Sequence, residues 1–250
     1  MKAIIDNTTW AKLSTAQSTE LPDNEKVRLI KGQEIYDIIS CSVVDDHYKL
    51  EVVPNEFIYL WKGHATVPEF VEVPDLLTKE QLYSIAVYVD YSKLDKLLPA
   101  LNETLHKYEI NTPLRICHFL AQVAHESDGF NTTEEYASGA AYEWRDDLGN
   151  IYEGDGVRFK GRGLIQLTGR ANYREFGAYL KLYDLEAYPE LVAEPELACS
   201  SAGWFWSSRN LNALADQDNF DRIMRTINGG KNGESDRWAY LVRAKAAFGI

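Results

Sequence analysis

The sequence lacks most features that mark disulfide-rich, metal-binding or membrane-spanning proteins. Its 250 residues contain three cysteines, Cys41, Cys117 and Cys199, which lie far apart and form no CxxC pair. This pattern indicates neither a disulfide framework nor a zinc site, so we expect no metal and no other cofactor. No stretch approaches the roughly 18 apolar residues of a membrane span, and the opening MKAIIDNTTWAKL has no signal-peptide core. We therefore expect synthesis in a reducing cytoplasm, without a signal peptide and without membrane insertion.

Positive charge is also scarce. The chain has 26 Lys and Arg against 38 Asp and Glu, which gives a net charge of −12. The acidic excess is spread evenly, because residues 1–75 carry 7 basic against 13 acidic side chains and the remainder carries 19 against 25. A polyanion such as DNA, or an anionic bilayer, would be repelled at long range. Nucleic acid is therefore not an expected partner.

Residues 1–70 have the pattern of a small all-β domain. Short runs such as KVRLI, EIYDII, HYKLEVV and FIYLW alternate polar with β-branched or aromatic residues, as half-buried strands do. Turn-forming residues separate the runs, and strands at such short spacing predict a small barrel or sandwich. The acidic stretch VPEFVEVPD with its two prolines predicts a linker. We place this linker at 71–78 and a second domain at 79–250.

The second domain has a mainly helical pattern. Thr78 with Gln81 three residues later is a capping box, and Thr112 followed by Pro113 predicts another helix start. Apolar residues then recur at helical spacing up to Gly129, which predicts the helix end. Further helices are predicted at 170–184, 194–209, 218–227 and 235–248.

The stretch AQVAHESDGFNTTEEYASG places three carboxyl groups near that helix end. Glu126 lies in the last predicted turn, while Glu134 and Glu135 follow in the loop beyond. The negative end of a helix dipole disfavours a nearby anion, so Glu126 is suited to remain protonated as a general acid. An ionised Glu135 on a facing wall would be the base. Two carboxyls in different surroundings are the basic equipment of glycoside hydrolysis, although glutamates near a helix end are more often solvated surface groups.

The stretch FKGRGLIQLTGRANYREFG combines glycines with alternating apolar and polar residues. Gln166 and Thr168 are two residues apart, so on an extended segment they would face one side and hydrogen-bond sugar hydroxyls or hold a water. The alternatives are a glycine-rich turn leading into a helix and a phosphate-binding loop. No lysine follows the last glycine, which argues against the phosphate loop.

Four motifs occur in the order found in one enzyme family. They are AHES, FKGRGLIQLTGRANY, SAGWFW at 201–206 and TINGG at 226–230. In these motifs the chain resembles the glycoside hydrolase family 19 chitinases and the related phage endolysins. The stretch EEYASGAAYEWRDDLGN is more similar to the bacterial and phage branch than to the plant chitinases. The resemblance implies a mainly α, lysozyme-like (α+β) catalytic domain, whereas residues 1–70 resemble a small bacterial SH3-like barrel.

The resemblance to family 19 also implies roles for individual residues. Glu126 corresponds to the general acid and Glu135 to the general base of the endolysin branch, with Glu134 as a competitor for the base. The family inverts anomeric configuration without a covalent intermediate, which requires carboxyl groups about 6.5–9.5 Å apart. Plant members carry an acidic residue shortly after the ING motif, where Lys231 and Asn232 stand here. The other matching positions are Thr168, for holding the attacking water; Gln166, Asn172 and Asn228, for binding the sugar chain; and Arg237, for pairing with carboxylates.

Aromatic and histidine side chains add weaker candidates. Trp204 and Tyr136 are candidates for stacking on sugar rings, although buried packing is the commoner use of a Trp-Phe-Trp cluster. His125 is a candidate for supporting the site. His118 shares its helical face, but no third residue at a metal-ligand spacing accompanies the pair, so packing in the core or cleft wall is favoured over metal binding.

Lys160, Arg162 and Arg170 form a local basic cluster in this acidic chain. Two interpretations are open: the cluster meets the peptide-stem carboxylates of peptidoglycan, or its members pair with neighbouring acids.

Together these features predict a peptidoglycan hydrolase of the endolysin or muramidase type, cleaving β-1,4 bonds between N-acetyl amino sugars. The alternatives are a chitinase with the same catalytic residues and a non-catalytic wall-binding or tail-structural protein. The N-terminal domain is expected to bind the cell wall or to act as a spacer. We expect peptidoglycan glycan chains as partner and a monomer, either free or part of a phage particle. It would reach the wall by release, by holin-type export, or by delivery from a phage or injection apparatus.

Overall fold

The computed structural model describes residues 1–54, 56–68, 70 and 74–250. The chain divides into two compact units, Met1–Pro74 and Asp75–Ile250. Within the linker predicted at 71–78, residues 71–73 lie outside the described residues. In the part of the chain that is described, no helix combines the length and the apolar character needed to cross a bilayer.

The first unit consists of short antiparallel strands. They are β1 (Ala3–Ile5), β2 (Thr9–Lys12), β3 (Lys26–Leu29), β4 (Glu34–Ile35), β5 (Ser40–Val44), β6 (His47–Val53), β7 (Glu56–Trp61) and β8 (Ala65–Thr66). One sheet has the strand order β3-β2-β7-β6-β5, and a smaller one has the order β4-β1-β8. In the smaller sheet, Ile4 of β1 is paired with Glu34 on one side and Thr66 on the other.

The two sheets of this unit share one apolar core. Ile5 from the smaller sheet and Leu50 and Leu60 from the larger one are buried in the same cluster. In the described residues the two sheets are not closed into a barrel. The sequence prediction for this region is therefore confirmed as an antiparallel β structure, but not as a closed SH3-like barrel.

The second unit is mainly α-helical. Its helices are α1 (Lys79–Ile85), α2 (Tyr91–Lys107), α3 (Pro113–Glu126), α4 (Asp155–Arg158), α5 (Arg170–Leu180), α6 (Pro195–Ser208), α7 (Leu211–Ala215), α8 (Phe220–Asn228) and α9 (Glu234–Phe248). The four late helices predicted from periodicity are present as α5, α6, α8 and α9. Helices α4 and α7, of 4 and 5 residues, are too short to give a periodic signal.

Helix α3 forms the centre of the second unit. All residues from Ile116 to Ala124 are buried, and α3 packs chiefly against α9. Phe119 meets Trp206 of α6 edge to face, with ring centroids 5.5 Å apart. Burial of each such large apolar side chain contributes about 1.5–3 kcal/mol. The helix is therefore held on several sides, and its last turn is a firm base for a functional group.

The ends of α3 follow from its own sequence. The hydroxyl of Thr112 accepts a hydrogen bond from a first-turn N–H at 3.4 Å, and Pro113 occupies the first helical position. Beyond Glu126 the chain turns at Gly129, whose φ of 69° is left-handed and whose N–H donates to Ala124 O at 2.7 Å. Both predicted boundaries are confirmed. They place the carboxyl group of Glu126 at the C-terminal end of a buried helix.

The region between α3 and α5 consists of turns, α4 and two short 3-10 helices, Ala140–Tyr142 and Asp146–Leu148. Isolated bridges pair Glu134 with Arg162 and Arg162 with Leu167. These bridges hold the start of the region against its end, so that the two segments singled out in the sequence become neighbours.

A buried ion pair anchors the middle of this region. Asp155 pairs with Arg170 at 2.5 Å and accepts two backbone N–H groups of the preceding loop, each at 3.0 Å. The Arg170 guanidinium holds the pKa of Asp155 below its usual 3.8, although burial opposes this shift. The N–H of Arg170 also donates to Asn150 at 2.9 Å, and Asn150 donates to Tyr142 O at 2.8 Å. The position of Tyr142 therefore depends on this anchor.

Candidate active site

A cavity of about 290 Å³ lies at the C-terminal end of α3. This volume is near the lower end of the range for ligand-binding clefts, about 300–1,000 Å³. The lining combines a carboxyl group with amides, a hydroxyl group and aromatic rings, which is a composition suited to hydrogen-bonding and stacking on sugars. The polar and aromatic lining residues are Glu126, Gln166, Thr168, Asn172, Trp204, Phe205, Arg209 and Asn228.

Glu126 has a buried arginine as its partner. Arg237 of α9 donates through Nη2 to Glu126 Oε1 and through Nη1 to Gln122 Oε1 at 2.7 Å. Arg237 is 2% exposed, whereas the side chain of Glu126 is 21% exposed and borders the cavity. Gln122 lies one turn before Glu126 on α3, so a single guanidinium bridges two successive positions on one helix face. The carboxyl group is thereby fixed in one orientation.

Glu126 lies at the C-terminal end of α3 and accepts a hydrogen bond from the guanidinium of Arg237. The resemblance to family 19 implied that Arg237 pairs with a carboxylate. In the structure its partner is Glu126, 111 residues away in the sequence.

Glu135 is held by neutral donors. Tyr142 Oη donates to Oε1 at 3.0 Å and the N–H of Gly161 donates to Oε2 at 3.0 Å. Burial, together with the bond to Glu135, raises the pKa of Tyr142, so the phenol stays a neutral donor. Each carboxylate oxygen thus has one hydrogen bond, which orients the group.

Gly161 shows how Glu135 relates to the cavity. A Cβ at Gly161 would lie 2.8 Å from Gln166 Oε1, 3.2 Å from Glu135 Oε2 and 3.3 Å from Thr168 Oγ1. Three side-chain oxygens therefore converge on one face of this glycine. Gln166 and Thr168 also line the cavity that Glu126 borders. Glu135 is not among the lining residues, but its carboxylate lies beside two that are.

Glu134, the neighbour of Glu135, has a different environment. Its Oε1 pairs with Arg162 Nε at 2.9 Å and with Lys160 Nζ at 3.3 Å. Arg170, the third member of the basic cluster noted in the sequence, is paired with Asp155. All three basic side chains of the cluster therefore have acidic partners. Of its two interpretations, pairing with neighbouring acids is the one that the structure supports.

Gln166 and Thr168 share the cavity for a reason other than the one predicted. Residues 163–166 form a turn, and Gln166 has a left-handed backbone with φ of 56°. The expectation of an extended segment was wrong here, and the alternative, a glycine-rich turn leading into a helix, is confirmed. The turn is stabilised by Thr168 Oγ1, which donates to Gln166 O at 2.9 Å, and Asn172 Nδ2 donates to Thr168 O at 2.7 Å.

Asn228 and Trp204 complete the predicted lining. Asn228 Nδ2 donates to Asn232 O at 2.8 Å and its Oδ1 accepts from the N–H of Gly230 at 2.7 Å, so its amide first shapes its own loop. Trp204 is 7% exposed and packs against Phe176 with ring centroids 5.4 Å apart. Only a small part of the indole is therefore available to a ligand.

Four predicted residues are absent from the cavity lining: Glu135 and Arg237, described above, and also Tyr136 and His125. Tyr136 is 77% exposed, and its hydroxyl donates to Asp128 at 3.0 Å. His125 is paired with Asp236 at 2.6 Å. Its ring packs so closely on Gly233, where φ is 72°, that a Cβ there would lie 2.2 Å away. His125 thus fixes the loop before α9 and lies outside the lining.

The described residues hold no group of three or more His, Cys, Asp or Glu that could bind a metal ion. His118, the other histidine of α3, is fully buried and its Nε2 lies 2.7 Å from Asp218. Burial lowers its pKa, with Asp218 acting in the opposite direction. It is a core residue.

The family can be decided at this point. The family model described as Chitinase class I, of the Glyco_hydro_19 family, matches residues 80–218. This match covers more than half of the chain and includes every predicted catalytic position. The chain belongs to glycoside hydrolase family 19.

Named proteins resemble this family 19 chain to different extents. A glycosyl hydrolase family 19 domain-containing protein of Haemophilus influenzae is 31% identical over 170 residues, which cover 55% of this chain and 82% of that protein. An endochitinase of Arabidopsis thaliana is 37% identical over 123 residues, 46% of this chain and 39% of the plant protein. The chain thus spans well under half the length of that endochitinase.

Solved structures share the fold of the family 19 unit. Chitinase C from Streptomyces griseus HUT6037 matches with a TM-score of 0.59 at 21% identity, covering 72% of this chain and 96% of that enzyme. A family 19 chitinase from Zea mays matches with a TM-score of 0.55 at 20% identity. At such identities the likeness shows the fold alone, a mainly α, lysozyme-like architecture.

Sequence reasoning missed three residues around this family 19 site. Gln122 precedes Glu126 by one helical turn, a spacing from which a shared face could have been inferred. Tyr142 gave no signal, because a tyrosine in an irregular region has no periodic pattern. Arg209 also gave none, since a single arginine after a helix is usually a solvated surface group.

Proposed function

We propose that this chain hydrolyses β-1,4 bonds between N-acetyl amino sugars in peptidoglycan by an inverting acid/base mechanism. The observation that supports this most is that Glu126 borders a polar cavity together with Gln166 and Thr168. The carboxylate of Glu135 lies beside these last two residues. Two carboxyl groups with distinct partners are what glycoside hydrolysis requires.

Glu126 is proposed as the general acid. In this role its carboxyl group is protonated before reaction. Proton transfer to the leaving oxygen would turn the carboxyl group into an anion, which the guanidinium of Arg237 would stabilise at the moment it forms. Because Arg237 is buried and also bonded to Gln122, it would provide this charge without having to move.

Glu135 is proposed as the general base. The donors Tyr142 and Gly161 orient its two oxygens, and the mechanism requires this group to be ionised. A water between Glu135 and the hydroxyl of Thr168 could be deprotonated and attack the sugar from the face opposite Glu126. Inversion needs about 6.5–9.5 Å between the two carboxyl groups, enough for this water. Glu134 is less suited to this role, because two cations already neutralise it.

Peptidoglycan is proposed over chitin on the basis of the segment EEYASGAAYEWRDDLGN, which resembles the bacterial and phage branch of the family. The relatives named as endochitinases make chitin the second candidate. The two polymers share the β-1,4 linkage and the N-acetyl groups, so the same acid and base would serve for either.

The test is product analysis with two polymers. Wild-type protein and Glu126→Gln are incubated with purified peptidoglycan and with chitin, and soluble fragments are identified by mass spectrometry and by the sugar at the new reducing end. We expect muropeptide-bearing fragments with an α-anomer as first product, and a loss of at least about 100-fold in rate for Glu126→Gln. Soluble sugar from chitin alone would make the protein a chitinase. Unchanged activity of Glu126→Gln would contradict the mechanism.

For the N-terminal unit we propose binding to the cell wall, on the strength of its resemblance to SH3-like modules. Co-sedimentation with peptidoglycan of the full chain and of residues 75–250 tests this. Equal sedimentation of the two proteins would favour a spacer role. Delivery to the wall by release, holin-type export or a phage particle is likewise a proposal.

A further inference from the structure

Arg209 brings a positive charge to the cavity that contains Glu126. It directly follows α6, is exposed, and lines the cavity together with Phe205, Trp204 and Glu126. Among the described lining residues, Arg209 alone carries a positive charge. The mechanism proposed above gives it no role.

The guanidinium of Arg209 is held in a defined position. It stacks over the ring of Phe205, with Cζ 3.5 Å from the ring centroid. Its Nη1 donates to Ser208 Oγ at 3.0 Å and to Phe205 O at 3.5 Å. Stacking and these bonds restrict the long side chain, so a ligand would meet a partly pre-organised group.

The edge formed by Nε and Nη2 of Arg209 has no hydrogen-bond partner in the described part of the chain. This is the edge that other arginines of the protein use to hold carboxylates. Arg115 donates to the two oxygens of Asp216 through Nε at 2.7 Å and through Nη2 at 2.6 Å. An arginine edge of this kind fits a carboxylate with two parallel hydrogen bonds.

Other cations near the site are already neutralised. Arg237 is paired with Glu126, and Arg162 and Lys160 are paired with Glu134. Arg209 forms no ion pair with any described residue, although the chain has twelve more acidic than basic side chains. A charge left available in a substrate cavity points to an anionic group on the ligand.

The two candidate polymers differ in such a group. Chitin is built from N-acetylglucosamine and carries no carboxylate. Every second sugar of peptidoglycan is a muramic acid, whose 3-O-lactyl substituent ends in a carboxylate or continues into a peptide stem that carries carboxylates. We propose that Arg209 binds a carboxylate of this substituent and thereby favours peptidoglycan over chitin. This inference rests on the proposed function and assigns substrate recognition to Arg209.

Two variants and a matched control test this role. Arg209→Gln removes the charge and the bidentate edge, whereas Arg209→Lys retains the charge. Arg222→Gln is the control, because Arg222 is exposed on α8 and outside the cavity lining. Each protein is assayed on intact peptidoglycan, on glycan strands freed of peptide by an amidase, on the same strands with their lactyl carboxylates amidated, and on a soluble N-acetylglucosamine oligomer.

For Arg209→Gln we expect KM on a carboxylate-bearing substrate to rise about tenfold, because a charge-assisted contact with two parallel hydrogen bonds is lost, while kcat stays unchanged. Arg209→Lys should recover part of the loss, and added salt should narrow the difference. Activity on the neutral oligomer and on amidated strands should match wild type, as should Arg222→Gln on every substrate. If KM rises only on intact peptidoglycan, the carboxylate that Arg209 binds belongs to the peptide stem. If KM also rises on strands freed of peptide, the carboxylate is that of the lactyl group.

Other outcomes would overturn the assignment. An equal loss on neutral and carboxylate-bearing substrates would mean that Arg209 supports the cavity structurally, and no loss on any substrate would mean that it binds nothing there. Failure of the wild type to cleave peptidoglycan would instead refute the proposed function itself. The two failures are distinguishable, because one is seen in the variant and the other in the parent protein.

Discussion

The two sides of the site are built differently. On one side, Glu126 ends a helix whose residues from Ile116 to Ala124 are all buried, and its partner is a buried guanidinium. On the other, Glu135 lies in an irregular loop, and its partners are a phenol and a backbone N–H. The helical side is positioned by packing, whereas the loop side is positioned by hydrogen bonds and by the anchor Asp155–Arg170.

This difference matches the tasks proposed for the two carboxyl groups. A group that must lose a proton benefits from a cation that stabilises the resulting anion. A group that must accept a proton benefits from neutral hydrogen-bond donors, which orient it. An ion pair would instead neutralise its charge. Glu134, one residue away, is paired with two cations, so the same residue type has a different environment there.

The largest effect on the difference between the two sides is expected from removing the proposed base, Glu135. Glu135→Gln should lower kcat on the cleaved polymer by about 100- to 1,000-fold, within the range for loss of a general acid or base. Glu134→Gln is the matched control, and we expect less than about a tenfold change because it removes an ion pair rather than the reacting group. Initial rates of fragment release measure both. A larger loss of kcat in Glu134→Gln than in Glu135→Gln would identify Glu134 as the base and contradict the role proposed for Glu135.

The loop side should be sensitive to its buried anchor. Asp155→Asn should lower the free energy of unfolding at pH 7 by about 3 kcal/mol, because it leaves a partly buried guanidinium without its main partner. This corresponds to roughly 6–12 °C in Tm, measured by calorimetry. The control Asp147→Asn removes an exposed pair with Arg145, and we expect its Tm to stay close to that of wild type.

The pH dependence of this anchor has a defined sign. The ion pair with Arg170 lowers the pKa of Asp155 below 3.8, so its stabilisation is complete above pH 3.8 and is lost as the pH falls through the lowered value. The stability difference between wild type and Asp155→Asn should therefore shrink in acid. A difference that stays constant down to the acid transition would argue against the ion pair as its source.

The mildest expected effect comes from a single donor. Tyr142→Phe removes the hydroxyl that donates to Glu135 but keeps the ring, and kcat should fall by up to about tenfold because the second donor, Gly161, remains. Tyr183→Phe, on a side chain that is 81% exposed, is the control and should have the activity of wild type. A loss for Tyr142→Phe as large as that for Glu135→Gln would mean that the phenol itself takes part in proton transfer.

Local signals in the sequence were enough for the helical side. Thr112, Pro113 and Gly129 define the ends of α3 through capping and backbone conformation, which depend on neighbours a few residues away. The apolar spacing within the helix predicts its buried face. The position of Glu126 at a helix end follows from these features alone.

The surroundings of the carboxyl groups could not be predicted in the same way. The bond from Arg237 to Glu126 joins residues 111 positions apart. No periodicity encodes such a contact, and only the resemblance to family 19 indicated that Arg237 pairs with a carboxylate. A glycine-rich turn before a helix was one interpretation of residues 163–169, but the left-handed backbone of Gln166 gave no signal of its own, because glutamine is not a turn former as glycine is. In the first unit, alternation predicted strands, but whether sheets close depends on pairings between distant strands, which the pattern does not contain.

The bridge from Arg237 to Glu126 and Gln122 ties the proposed acid to a second helix. Glu126 lies in the central helix, whereas its counter-cation and much of that helix's packing surface belong to α9. A polypeptide truncated before Glu234 would keep every residue of the cavity lining, yet it would lack the guanidinium that orients Glu126. A protein with a complete cavity lining should therefore still lack activity unless α9 is docked.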